Sequence, residues 1–337
     1  MMKHLFDSLT LTVAIISFFF VLGNVTMAQD QVKIFSLLKP DLEPQQGPPE
    51  LHDPRIYGLS WRFKWSTIEP QQDQYNWQPI DKAIEVSSKA GKKVMLRVIA
   101  GINTPEWVYQ SGANPFYFSN TDLGRSENYP SSLRMPIPWD DIYLAKWEGF
   151  IRAFGMRYNR NPHIYSIQMT GGGYIGEMNL PKAHTKWQQA GYSDAKLIMA
   201  WKRIIDSYQK AFPDIPTNLA INEPLGGKRS DVLAPIVSYV LINYPHKVYL
   251  QQNGLQANFP RDSRIRQIIR EASGKTVVGY QMLGGKEFLE GQTGDRIIAF
   301  RNAREDHVSY LEVYASDVRD PSQKEALQFL STGSERR

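Results

Sequence analysis

From Tyr57 onward the chain alternates short β-prone runs with amphipathic helical ones, and this rhythm constrains its fold more than any other feature. Tyr57–Phe63 (YGLSWRF) reads as a strand. A polar turn carrying Tyr75 and Trp77 leads into a helix over 81–90, where Ile80, Ala83, Ile84 and the small Ser87 fall at helical spacing. Gly91 stops that helix, and Val94–Ala100 (VMLRVIA) reads as a buried strand. Further on come a helix over 142–158, a strand Ile164–Thr170 (IYSIQMT) and a helix Ala195–Phe212. Strands at 217–222, 247–252, 276–282 and 308–314 then alternate with helices at 232–243, 265–272, 296–303 and 322–330. Strand–helix–strand units build parallel sheets. With Val32–Leu38 counted first there are eight strands, which predicts an α/β fold, a single-domain (β/α)8 TIM barrel. The barrel is expected over 55–331, after an extended lead-in at 29–54 and before a tail at 332–337.

The N-terminus follows a different logic. Lys3 and His4 precede an apolar run, Leu9–Val25, and small residues around Ala28 suit a cleavage point. Residues 1–28 therefore read as a signal peptide, and the protein is expected to be secreted or periplasmic. A retained N-terminal anchor is the alternative, because the run is nearly long enough to span a bilayer. Cysteine is absent, so an exported chain of this kind relies on its core and has no thiolate metal site or Cys nucleophile. The six His residues are dispersed without metal-ligand spacing, and no metal or cofactor is expected. The net charge of +5 is spread rather than gathered into a stripe, which argues against nucleic acid. Eight Trp and 17 Tyr stand out instead, because aromatic faces suit the C–H faces of sugars.

The run Arg62, Trp65-Ser66, Ile68-Glu69-Pro70, Tyr75, Trp77, Asp81, Gly91, Val94, Thr104-Pro105 and Trp107 resembles the second and third barrel strands of clan A glycoside hydrolases. Within the clan it is most similar to the N-terminal domain of family 42 β-galactosidases. The resemblance implies a barrel that cleaves glycosidic bonds of an oligo- or polysaccharide with two carboxylates. Such carboxylates must project from strand ends into one cleft. Gln110–Asp140, rich in Gly, Pro, Asn and Ser, is expected to leave the third strand and cover part of that cleft.

Glu177 follows Ile164–Thr170 through a glycine-rich turn and is the expected acid/base. The clan places this residue after strand four, commonly as Asn-Glu, whereas here Gly176 precedes it. Glu312 lies in Tyr310-Leu311-Glu312-Val313-Tyr314, where alternation sets Tyr310, Glu312 and Tyr314 on one face. A charge in an apolar strand is costly unless paired or used, and Glu312 is the expected nucleophile, with Asp317 as a supporting carboxylate. The clan nucleophile ends strand seven, yet counting from Val32 puts Glu312 on strand eight. A barrel beginning at Tyr57 would move it to strand seven and make Glu223, in Asn222-Glu223-Pro224, the acid/base instead. Arg62 matches the clan arginine of strand two, beneath the nucleophile. Trp65, Trp107 and Trp139 are candidate sugar platforms, and Asn222, Gln252, Asn253, Gln281 and Tyr314 candidate substrate contacts.

Two other readings stay open. One is a carbohydrate-binding barrel without turnover. The other is an inverting enzyme, since Gly176-Glu177 through Pro181 resembles the acid strand of β-amylases. Gly171, Gly173 and Gly176 also match dinucleotide-binding spacing, but Pro181 interrupts the helix that would have to follow.

Overall fold

A computed structural model describes residues 31–123, 129–225, 231–285 and 293–332. The expected leader over 1–28 and the tail beyond Thr332 lie outside these residues. Eight parallel strands close a barrel: β1 Lys33–Leu37, β2 Gly58–Lys64, β3 Lys93–Ile99, β4 Ile164–Met169, β5 Thr217–Ala220, β6 Val248–Leu255, β7 Val278–Met282 and β8 Tyr310–Tyr314. β1 is the closing piece. It pairs with β8 from Lys33↔Tyr310 to Leu37↔Tyr314, and with β2 from Phe35↔Gly58 to Leu37↔Ser60. The count from Val32 therefore holds, and the register that began the barrel at Tyr57 is corrected: Glu312 is on β8, and Asn222-Glu223-Pro224 follows β5.

The strands are apolar on both faces because helices cover the outside while side chains fill the inside. β3 shows this best, with Val94 to Ile99 all buried, Arg97 included. Outside, the helix Asp141–Tyr158 buries Trp147, Phe150, Ile151 and Phe154 as the sequence spacing predicts. It begins where Asp140 accepts from the Tyr143 amide, and Asp194–Ala211 begins where Ser193 accepts from the Lys196 amide. The excursion after β3 carries an antiparallel hairpin, Pro115–Ser119 with Ser132–Pro136.

The barrel interior is layered. Low in the barrel sit Phe35, Met95 and Tyr310, ringed by Tyr165, Tyr249 and Val277. Above them runs a polar belt. Ser166 donates to Asn218 at 3.1 Å, Asn218 to Gln251 at 3.1 Å, and Gln251 to Glu312 at 2.6 Å, while Ser60 closes the belt on the other Glu312 oxygen. The belt thus joins β4, β5, β6, β8 and β2 with every member satisfying another, which is how a buried polar layer becomes tolerable.

Candidate active site

β4 delivers Glu177 through a turn that only glycine can make. Gly171 and Gly176 have φ of 131° and 84°, outside what L side chains adopt readily. The Gly171 amide bonds the Gly176 carbonyl at 2.6 Å, and the Gly176 amide bonds Gly173 at 2.9 Å, so the loop closes on itself. Tyr143 donates to the Gly171 carbonyl and Trp147 to that of Thr170, tying the turn to the Asp141–Tyr158 helix. No helix starts at this turn, since the next one begins at His184. At Gly173 space rather than φ is the constraint, because a Cβ would overlap the carbonyl oxygens of Glu177 and Asn179. Gly173→Ala should cost about 1–3 kcal/mol in urea denaturation and displace Glu177, lowering turnover as well. Unchanged stability would show that the turn yields.

Arg97 is the residue that sequence reasoning missed. Its guanidinium donates to Glu177 at 2.7 Å through one terminal nitrogen and to Glu312 at 3.2 Å and Gln281 at 3.3 Å through the other. All three charged groups are buried, at 3%, 3% and 0% exposure for Arg97, Glu177 and Glu312. One fork therefore spans both carboxylates, which limits their nearest oxygens to roughly 8 Å apart. The available signal was the one charge inside the apolar run Val94–Ala100. Glu312 accepts from Ser60, Gln251 and Arg97 together. Tyr310, one turn of the pleat below it, donates to Gln251 at 2.9 Å, and burial raises its hydroxyl well above the ordinary tyrosine range.

Above this network opens a cavity of about 260 Å³, whose lining includes Arg62, Arg97, Glu177, Asn253, Gln281 and Tyr314. Glu177 is a carboxylate of that lining, whereas Glu312 lies beneath it. Tyr129 of the long excursion also lines the cavity, so the excursion reaches the cleft as expected. Asn253 accepts from Gln251 at 2.7 Å, and among the described residues its buried amide nitrogen has no acceptor. Gln252 donates to Asn222 at 3.3 Å, and both stand apart from the lining. Among the described residues Arg62 holds no carboxylate; its Nε donates to the Leu38 carbonyl at 2.7 Å, and Arg97 takes the ion pairs.

Other candidates are placed elsewhere. Trp65 is fully buried, bonded to Glu69 at 2.7 Å and packed against Trp107 and Trp147, so it offers no face to a sugar. Trp107 donates to the Glu69 carbonyl, and Trp139 packs on Trp187 and Tyr192; neither lines the cavity. Glu69 itself is desolvated, which raises its carboxyl above the usual range. Glu223 pairs with Arg264 at 2.9 Å, and the buried Asp317 pairs with Arg296 at 2.9 Å. Among the described residues no group of three or more His, Cys, Asp or Glu is arranged to hold a metal ion, and no helix is long and apolar enough to cross a membrane.

The β-galactosidase family, glycoside hydrolase family 42, matches residues 59–217, the stretch that runs from β2 to the start of β5 and includes Glu177. Over that stretch the chain is similar to the family 42 glycoside hydrolases. Solved structures agree in fold. The catalytic domain of β-amylase from Paenibacillus polymyxa aligns at a TM-score of 0.60 and 10% identity, over 91% of this chain and 99% of that one. A glycoside hydrolase family 10 xylanase from Thermobacillus composti aligns at 0.51 and 14%, over 88% of each chain. Xylanase XynB from Paenibacillus barcinonensis aligns at 0.50 and 16%, over 84% of each. At these identities the likeness is one of barrel architecture. None of the curated proteins compared matches the chain. Glu177 follows β4, and Gln281 is the penultimate residue of β7.

Proposed function

We propose that this protein is an exported, β-galactosidase-like glycosidase acting on an oligo- or polysaccharide, with Glu177 as acid/base and Glu312 as the second carboxylate of a retaining reaction. The observation that carries the reading is the Arg97 fork, which ties a cavity-lining carboxylate to a deeper one. Glu177 protonates the glycosidic oxygen as it leaves. Glu312 then attacks the anomeric carbon, and Glu177, now a base, draws a proton from the water that releases the sugar. For that attack a Glu312 oxygen must exchange a bond from Arg97 or Gln251 for contact with the sugar. Export rests on the leader-like residues 1–28.

An inverting reaction is the second reading. It is favoured by the depth of Glu312, which sits below the cavity lining and would act more readily through a water than by direct attack. The limit of roughly 8 Å set by Arg97 admits both spacings, about 5–5.5 Å for retention and about 6.5–9.5 Å for inversion. Proton NMR of the first-formed sugar from an aryl β-galactoside distinguishes them. A β-anomer is expected. An initial α-anomer overturns retention, and full turnover in Glu312→Gln removes Glu312 from the chemistry.

A further inference from the structure

The inner face of β2 carries Ser60, Arg62 and Lys64 at successive inward positions, rising from the buried belt to the rim. Each cation along this path has a different fate. Lys64 pairs with Asp41 at 3.1 Å. Arg97, the register partner of Arg62 on β3, is neutralised by two carboxylates. Arg62 has neither. Its Nε is spent on a backbone carbonyl, Arg62 lines the cavity, and among the described residues no carboxylate is ion-paired with it. Burial lowers its basicity, outweighing the opposing pull of Tyr314, Glu312 and Glu177.

Arg62 thus stands beside an arginine whose carboxylates are already engaged, which leaves its fork available to an incoming anion. The rest of the lining points the same way. Among the described residues the buried Asn253 amide nitrogen has no acceptor, on β6 across the barrel from Arg62. Glu177 has one oxygen already engaged by Arg97. The cavity volume of about 260 Å³ suits a single sugar ring rather than a chain.

We propose that this cavity takes an acidic sugar, a hexuronate whose ring carboxylate is received by the free fork of Arg62. A planar carboxylate fits a guanidinium in two parallel hydrogen bonds, which a hydroxymethyl group cannot reproduce. The proposal rests on the assignment of this cavity as the substrate site, and refines its substrate from a neutral galactoside to a uronate.

The test is calorimetric binding of D-galacturonate, D-galactose and galactose 6-sulfate to the whole chain. The first two differ only in carrying a carboxylate or a hydroxymethyl at C6. Galacturonate is expected to bind about tenfold or more tightly than galactose. In Arg62→Gln the ratio should fall to within about twofold, and in Arg62→Lys, which keeps the charge but not the fork, it should lie between. Equal wild-type affinities overturn the proposal without any variant, and so does a ratio that survives in Arg62→Gln. If galactose 6-sulfate binds as tightly as galacturonate, the carboxylate assignment fails in favour of a general anion site. Should Arg62→Gln not fold, Arg62→Lys and the wild-type ratio decide. Hydrolysis is read separately: a uronate preference in binding with no turnover of any aryl glycoside sinks the catalytic reading alone, and turnover of neutral galactosides with a ratio near one sinks the uronate alone.

Discussion

Arg97→Met is expected to lower stability by about 3–5 kcal/mol and to abolish turnover. Methionine fills most of the arginine stem's volume, so the loss isolates charge rather than packing. What remains is two carboxylates, Glu177 and Glu312, at 3% and 0% exposure with no cation between them. Leaving buried charges uncompensated costs far more than the ion pairs contribute to the intact protein. The double variant Arg97→Met/Glu312→Gln should recover a large part of the deficit, because one orphaned charge is gone and the amide can still accept from Ser60. Urea denaturation with an unchanged slope is the measurement. A loss under about 1 kcal/mol would mean that the site is screened by water and that Arg97 acts as a surface ion pair does.

Glu177→Gln is expected to leave the fold intact and reduce hydrolysis by about 10²- to 10⁴-fold, the usual contribution of a positioned acid or base. Glutamine keeps the shape and an oxygen for Arg97 but cannot deliver a proton. The fall should therefore depend on the leaving group. Glycosides of alcohols and sugars need protonation and should suffer most, while a dinitrophenyl glycoside departs unaided and should be cleaved at its first step nearly as well as by wild type. A uniform loss across leaving groups would argue that Glu177 holds Arg97 rather than a proton. The same pair of assays on Glu223→Gln should show no such pattern, since Glu223 is engaged with Arg264 after β5.

The site was legible in parts. Glu177 stood out through its position after an apolar strand and a run of glycines, and Glu312 through a carboxylate set among β-prone apolar residues. Their linkage was not, because Arg97 is 80 residues from Glu177 and 215 from Glu312. The tryptophans misled for a related reason. Trp65 begins the segment just after β2, where a sugar platform could sit, yet its indole turns inward onto Trp147, and local sequence does not encode that choice.

By itself the sequence determined the alternation of strands and helices, since periods of two and 3.6 are local properties that each segment carries alone. Through its family resemblance it also named Glu177 and Glu223 as candidates for the acid/base. Only the tertiary structure decided their strands, β4 for Glu177 and β5 for Glu223. The decision depends on where the barrel closes, and closure is made by β1 pairing with β8, strands at opposite ends of the chain whose contact no periodicity announces. The same closure brought Arg97, Glu177 and Glu312 from β3, the β4 turn and β8 to one guanidinium. Burial then fixed their meaning, because charges excluded from water must find one another.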